Sequence, residues 1–293
     1  PVAEPTRVPL DNVTQVALGT NTGAFVDAEG DLFTCGFGGS TLSGIGALGQ
    51  GEGASCDTPV RVDSLVEDGC YVKQVDVGEA HLVVLTTEGD VLTAGSGSYG
   101  RLGNFETTDQ IYLEPCEVLT QGVTDITCGK SFTLALTTEG VVYGWGRNHK
   151  GQLGTGFGMA VDMYAMQSVP EPIEADELMG RRVTKIAAGN SHAACITESG
   201  EMFYWGMSAH LEPVRVDALM HTKGVDMACG EDYTLAVGED GHLYSFGVGS
   251  KGTLGLGSIS RANQATQVEA LAGKQITHIS AGWKHAASLV VDA

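Results

Sequence analysis

Glycine clusters, three histidines and seven cysteines are the features of this chain whose types and spacing could do chemistry. The stretch Gly44-Ile45-Gly46-Ala47-Leu48-Gly49 matches the Gly-x-Gly-x-x-Gly fingerprint of dinucleotide sites. That fingerprint works between a strand and the N-terminus of a helix, where backbone amides and the helix dipole hold a pyrophosphate. Here it falls in a glycine-dense loop between Gly36 and Pro59, and Ala47-Leu48-Gly49-Gln50-Gly51 is a degenerate copy of Gln152-Leu153-Gly154-Thr155-Gly156, so a loop is predicted. Gly129-Lys130-Ser131 ends like a phosphate-binding loop, but Thr124 stands where that loop needs its first glycine.

His81, His192 and His285 each follow a glycine by three residues, at Gly78, Gly189 and Gly282. Zinc would need all three ring nitrogens within about 2.1 Å of one point. They recur in alternate copies of the repeat described below, which spreads them around a ring far wider than that. A structural role near a turn, holding a backbone group, is the reading taken. Cys128 and Cys229 occupy a small-residue slot that Ala188 and Ala281 fill elsewhere, and so read as packed thiols. No Gly-x-Ser-x-Gly elbow appears, and the carboxylates gather in Glu-Gly and Asp-Gly turns, where solvation is the default. No catalytic, cofactor-binding or metal-binding residue is expected.

The elements that position these residues come from composition and repetition. Glycine contributes 42 of 293 residues and charged residues only 18%. Glycine inside a helix costs roughly 1 kcal/mol relative to alanine, so this density excludes a largely helical chain. The net charge of −20 repels nucleic-acid phosphate and anionic membrane surfaces, so neither is an expected partner. No apolar run approaches the roughly 18 residues of a membrane span. Seven cysteines without a Cys-x-x-Cys pair suit reduced thiols and an intracellular, cytoplasmic setting. Because the chain begins at Pro1, a nuclear or organellar address after leader removal stays open.

Self-comparison then finds a repeat. First glycines stand at Gly19, Gly78, Gly129, Gly189, Gly230 and Gly282. In five copies a second glycine follows eleven residues later, at Gly30, Gly89, Gly140, Gly200 and Gly241, and a third six beyond that, at Gly36, Gly95, Gly146, Gly206 and Gly247. Apolar stretches flank the second glycine, which predicts a β-hairpin whose tight turn uses the positive φ that glycine tolerates. Another apolar strand precedes each first glycine, as in Val123 to Ile126, and a Pro-x-x-Val element lies further upstream, as in Pro59 to Val62. A unit of four short strands cannot bury its faces alone, and radial stacking into a β-propeller is the stable solution. The units run approximately 5–58, 59–114, 115–169, 170–212, 213–264 and 265–293, the last incomplete, within one domain of residues 1–293.

Gly144-Trp145-Gly146-Arg147-Asn148-His149-Lys150-Gly151-Gln152-Leu153-Gly154 resembles the repeat of the RCC1 (regulator of chromosome condensation) family, as do Ala188 to His192 and Tyr204 to Gly206. The resemblance covers essentially the whole chain and implies an all-β propeller, usually of seven blades. Six units are visible and the sixth stops where its acidic-Gly turn belongs, so the expectation is a segment of a longer protein, with a complete six-bladed ring as the alternative. Gly282-Trp283-Lys284-His285 is similar to a motif of the plant UV-B receptor branch. Trp145 and Trp205, however, stand in the Trp-Gly position that packs between blades, which argues against a light-sensing tryptophan cluster.

Loops on a rigid scaffold carry binding specificity. The long ones lie in Gly36 to Pro59, Asn104 to Pro115 and Gly156 to Pro170, and Tyr99, Arg147, His149, Lys150 and Trp283 are the candidate partner contacts. The expected function is a non-catalytic protein-binding or scaffold module. The alternative, implied by the family's founding member, is guanine-nucleotide exchange on a small GTPase.

Overall fold

Each second glycine closes a hairpin in the computed structural model, which describes residues 6–51, 55–119, 122–158, 164–249, 251–258 and 260–292. The pattern is clearest in the third blade. Its strands Val123–Cys128, Phe132–Thr137, Val142–Arg147 and Met166–Pro172 pair antiparallel in that order. Blades 1, 2, 4 and 5 repeat the arrangement, from Val13–Leu18 to Cys56–Arg61, Val72–Val77 to Gln110–Pro115, Val183–Ala188 to His210–Arg215 and Gly224–Cys229 to Arg261–Gln267. The sixth blade holds the pair Lys274–Ala281 and Ala286–Asp292. From blade 2 to blade 6, the first strand of each blade packs on the first two strands of the blade before it, which makes the all-β propeller.

Packing explains why the second strands read as continuous apolar runs. In His81–Thr86 every residue is buried. Leu82 and Val84 point into the core shared with blade 1, while Val83 and Leu85 point into the core shared with blade 3. A strand buried on both faces has no polar side to alternate with. The five apolar clusters correspond to the five junctions between consecutive blades.

The three glycines of a repeat answer three different constraints. The second, such as Gly89 at φ +91°, sits in a turn closed by its own N–H donating to the Thr86 carbonyl. The first is constrained by space: a Cβ on Gly129 would overlap the Phe132 ring, and His81, His192, Tyr233 and His285 crowd Gly78, Gly189, Gly230 and Gly282 in the same way. The third, such as Gly95, pairs with the residue that carries that ring and lies at a register shift between strands three and four. Neighbouring blades are also joined by hydrogen bonds. The Gln15 amide donates to the Val75 carbonyl (3.1 Å) and accepts from its N–H (3.0 Å), Gln74 treats Ile126 likewise, and Lys185 pairs with Asp226 at 2.6 Å.

Sequence units and hydrogen-bonded sheets share a period and differ in phase. The Pro-x-x-Val elements at Pro59, Pro170 and Pro213 lie in the outer strand of the preceding sheet. The last residue of each of these three donates its N–H to the start of the third strand, as from Val62 to Leu32 and from Val216 to Met202, both 2.8 Å. In blade 2 the donor to Val91 is instead Cys116, so Pro115 stands two residues later in the pattern than Pro59. The first such element begins at Pro5, which lies outside the described residues.

His81 and His192 serve the junctions between blades. Their Nε2 atoms lie 3.1 Å from the hydroxyls of Thr133 and Thr234 on the next blade. Leaving such a buried ring nitrogen without its partner costs about 1–3 kcal/mol. Thr133→Val is therefore expected to lower unfolding free energy by that amount in urea titration, and a change under about 0.5 kcal/mol would mean the ring is satisfied elsewhere.

Candidate functional site

Strand direction alternates within a blade, so the first-glycine turns and the loops joining third to fourth strands emerge at the same end. These loops are braced. In the first, the small hairpin of Gly39–Ser40 and Gly44–Ile45 reaches blade 2, where Ile45 N donates to Asp109 Oδ2 at 3.0 Å. Gly44 to Gly49 is thus strand and turn with no helix behind it, and the pyrophosphate geometry is not built. In the second, Phe105 N donates to the Ser168 carbonyl (3.0 Å); in the third, Gly156 N donates to that of Leu211 (3.1 Å). Each loop leans on the next blade, which gives the end a defined surface.

Tyr99 anchors the most polar part of this surface. Its backbone lies at φ +63°, a region that side chains other than glycine seldom occupy. The Arg147 guanidinium carbon is 4.2 Å from the Tyr99 ring centroid and that of Arg101 is 5.7 Å away, both within cation–π range. Arg101 is 4% exposed. Its Nε donates to the Ser98 carbonyl at 2.8 Å, and its own carbonyl accepts from Trp145 Nε1 at 2.9 Å. A terminal nitrogen of Arg101 and the Nε of Arg147 are buried without a hydrogen-bond partner. Burial pulls the Arg101 pKa below its usual value, and the Arg147 charge adds to this. Glu79 and Asp109 act in the opposite sense and raise it, although Glu79 also pairs with Lys130 at 3.1 Å and Asp109 accepts from the amides of Gly97 and Ile45.

His149 follows in the same turn. Burial, Arg147 and Lys150 together push its pKa down to about 4, so it is neutral at pH 7 and the arginines and Lys150 carry the local charge. Its Nδ1 lies 3.4 Å from Gln152 Nε2. The structure therefore brings Tyr99, Arg147, His149 and Lys150 to one place. Trp283 is separate: it sits in the first-glycine turn of blade 6, 57% exposed, with Lys284 Nζ 4.7 Å from its ring centroid. Trp145 and Trp205 are fully buried, and Trp205 Nε1 donates to the Gln152 carbonyl at 3.0 Å. Sequence reasoning missed Arg101. The available signal was its slot, which Ala47, Gln152 and Thr253 fill in other blades.

The remaining chemical candidates are packed into the scaffold. Burial raises the thiol pKa of Cys128, and pushes that of Cys229 up to about 12, which suppresses the thiolate that a nucleophile needs. All seven cysteines are free. No helix among the described residues is long and apolar enough to cross a membrane.

Stacked four-stranded blades with a loop-bearing end define a β-propeller of the repeat type. The chain belongs to the RCC1-like domain family, which it matches over residues 1–288. It is 34% identical over 185 residues to the human E3 ubiquitin-protein ligase HERC2, covering 62% of this chain and 4% of that protein. It is 34% identical over 247 residues to the Arabidopsis thaliana ultraviolet-B receptor UVR8, covering 83% and 44%. The bovine secretion-regulating guanine nucleotide exchange factor is 33% identical over 162 residues, covering 55% and 33%. The chain therefore spans less than half the length of each of these relatives. Among solved structures, Prp20p from Saccharomyces cerevisiae, a protein that binds Gsp1p and histones, superposes with a TM-score of 0.83 at 20% identity, covering 96% of this chain and 69% of that one.

Proposed function

We propose that residues 1–293 act as one protein-binding propeller domain whose partner docks on the loop end. The observation that carries this reading is the distribution of exposed aromatic side chains. Of the seven exposed aromatics among the described residues, Phe37, Phe105, Phe157, Tyr164 and Trp283 stand in loops or turns at this end, with Phe157 78% and Phe105 61% exposed. Tyr112 lies in an outer strand and Tyr71 beside the Gly30 turn at the other end. Exposed aromatics beside arginines mark interaction surfaces, because they bury much area at low entropic cost. The free thiols support a reducing compartment for this work.

Capture of partners from extract by the chain and by a Phe105→Ser, Phe157→Ser variant, compared by mass spectrometry, tests this. The proteins enriched by the parent chain are expected to fall at least about tenfold with the variant, since two aromatic anchors commonly contribute more than 1.4 kcal/mol. Equal recovery would place the docking surface elsewhere.

The second reading is exchange on a small GTPase, supported by the bovine relative's name. Exchange acts by binding the nucleotide-free GTPase, so it leaves no internal catalytic constellation to find. Acceleration of labelled GDP release from a panel of small GTPases would select this reading, and no acceleration with any of them would remove it.

A further inference from the structure

Two arginines at the loop end stand where the blade does not need them. Arg101 fills the slot of Ala47, Gln152 and Thr253, and Arg147 fills that of Phe37, Ser96, Met207 and Val248. The backbone hydrogen bonds of those slots form whichever residue is present: Arg147 N donates to the Ser131 carbonyl just as Ser96 N donates to that of Ala80. Both guanidiniums nevertheless converge on the Tyr99 ring, and each buries an N–H without an acceptor. A buried cation without a counter-ion is costly, and one ring face offsets the cost only in part. Glu79 and Asp109 act on Arg101 through space and raise its pKa, but neither makes an ion pair or hydrogen bond with it. Glu79 is paired to Lys130 and Asp109 holds backbone amides, so the buried N–H stays without an acceptor.

We propose that Arg101 and Arg147 form a receptor site for a single oxyanion, carboxylate or phosphate, carried on a side chain of the docking protein. The inference rests on the docking reading for how the anion is presented. Guanidinium groups suit this chemistry because their planar N–H forks match the oxygens of both anions. The net charge of −20 makes the rest of the surface repel the same group, so the arginine pair both attracts it and fixes its register.

The test is calorimetric titration of the full chain with inorganic phosphate and, separately, with acetate at low ionic strength. Binding of one anion per chain is expected, weakened at least about tenfold in Arg101→Gln and in Arg147→Gln. Glutamine is chosen because Gln152 already fills the slot equivalent to that of Arg101. Arg101→Gln is expected to melt at the same or a higher temperature, whereas a purely structural arginine would lower the melting temperature on removal. Binding of phosphate alone identifies a phosphorylated side chain as the source, and binding of both anions an acidic one. No binding by the parent chain, or equal binding by parent and both variants, overturns the proposal. The measurement uses free anions, so its failure leaves the docking reading standing, and failed partner capture leaves this result intact.

Discussion

Gly95→Ala is expected to destabilise the propeller by about 3–5 kcal/mol, seen as a lower midpoint in guanidinium unfolding with an unchanged slope. Two costs add at this residue. Its φ of +110° is strained for any residue with a Cβ. The added methyl would also overlap the Ala80 carbonyl oxygen and lie 2.8 Å from the His81 Cα, both backbone atoms that cannot rotate aside. Moving them would displace the His81 ring, which is wholly buried and hydrogen-bonded to blade 3. The damage therefore reaches the junction between blades and not only the local turn. Gly69→Ala separates the two costs. It lies just after the short helix Asp63–Glu67 at φ +65° with open space around it, so only the conformational cost of about 1 kcal/mol is expected. Equal losses at the two sites would show that close backbone approach contributes nothing at Gly95.

The same contrast marks how much of the fold a reader could take from the residues. Hairpins were legible because glycine, acidic turn and apolar run follow one another locally, and the continuous apolar run of Leu82 to Leu85 announced burial on both faces. The phase of the blades was not legible. A cyclic pattern has no intrinsic start, and only the hydrogen bonds of Cys56–Arg61 to Leu32–Gly36 show that Pro59 closes a sheet instead of opening one. The first glycines were readable as invariant positions within the chain, but for five of the six their reason lies in an aromatic ring three residues on, and for Gly19 in Thr22 and the Gly78 carbonyl, which spacing alone does not reveal.

The loop-end cluster was legible in part for a related reason. Arg147, His149 and Lys150 stand in a charged turn that any reading would notice. Arg101 is one arginine among glycines, which locally suggests a solvated turn. Its burial follows from the Trp145 ring of the next blade, whose N–H fastens on the Arg101 carbonyl. That is a contact between residues 44 positions apart, and it becomes predictable only once Arg101 is aligned with Gln152, which Trp205 holds in the same way.

Asp76 should make the stability of the protein fall as pH rises from about 4 to about 6. The residue is half-buried in the first strand of blade 2, with its carboxyl turned inward, and desolvation raises its pKa to about 6 against the backbone N–H bonds of Cys128 and Val77, which favour the charged form. In the unfolded chain the same group titrates near 3.9. Below pH 4 both states hold the proton and the stabilising difference is fully present. Between the two values the unfolded chain loses its proton while the folded chain retains it, so stability declines by about 1.4 kcal/mol per pH unit, roughly 3 kcal/mol in all, and levels off above the folded value. Asp125, whose pKa burial also raises, contributes with the same sign. Asp76→Asn isolates the first contribution. Its amide oxygen can still accept one backbone N–H, so the variant folds with a roughly constant cost of about 1–3 kcal/mol for the acceptor it loses. The measurement is the difference in unfolding free energy between parent and variant from pH 4 to pH 7.5. That difference should move in favour of the variant by about 2–3 kcal/mol across the window. A flat difference would mean that the carboxyl ionises as freely in the propeller as in water, and that the two backbone donors fully compensate its burial.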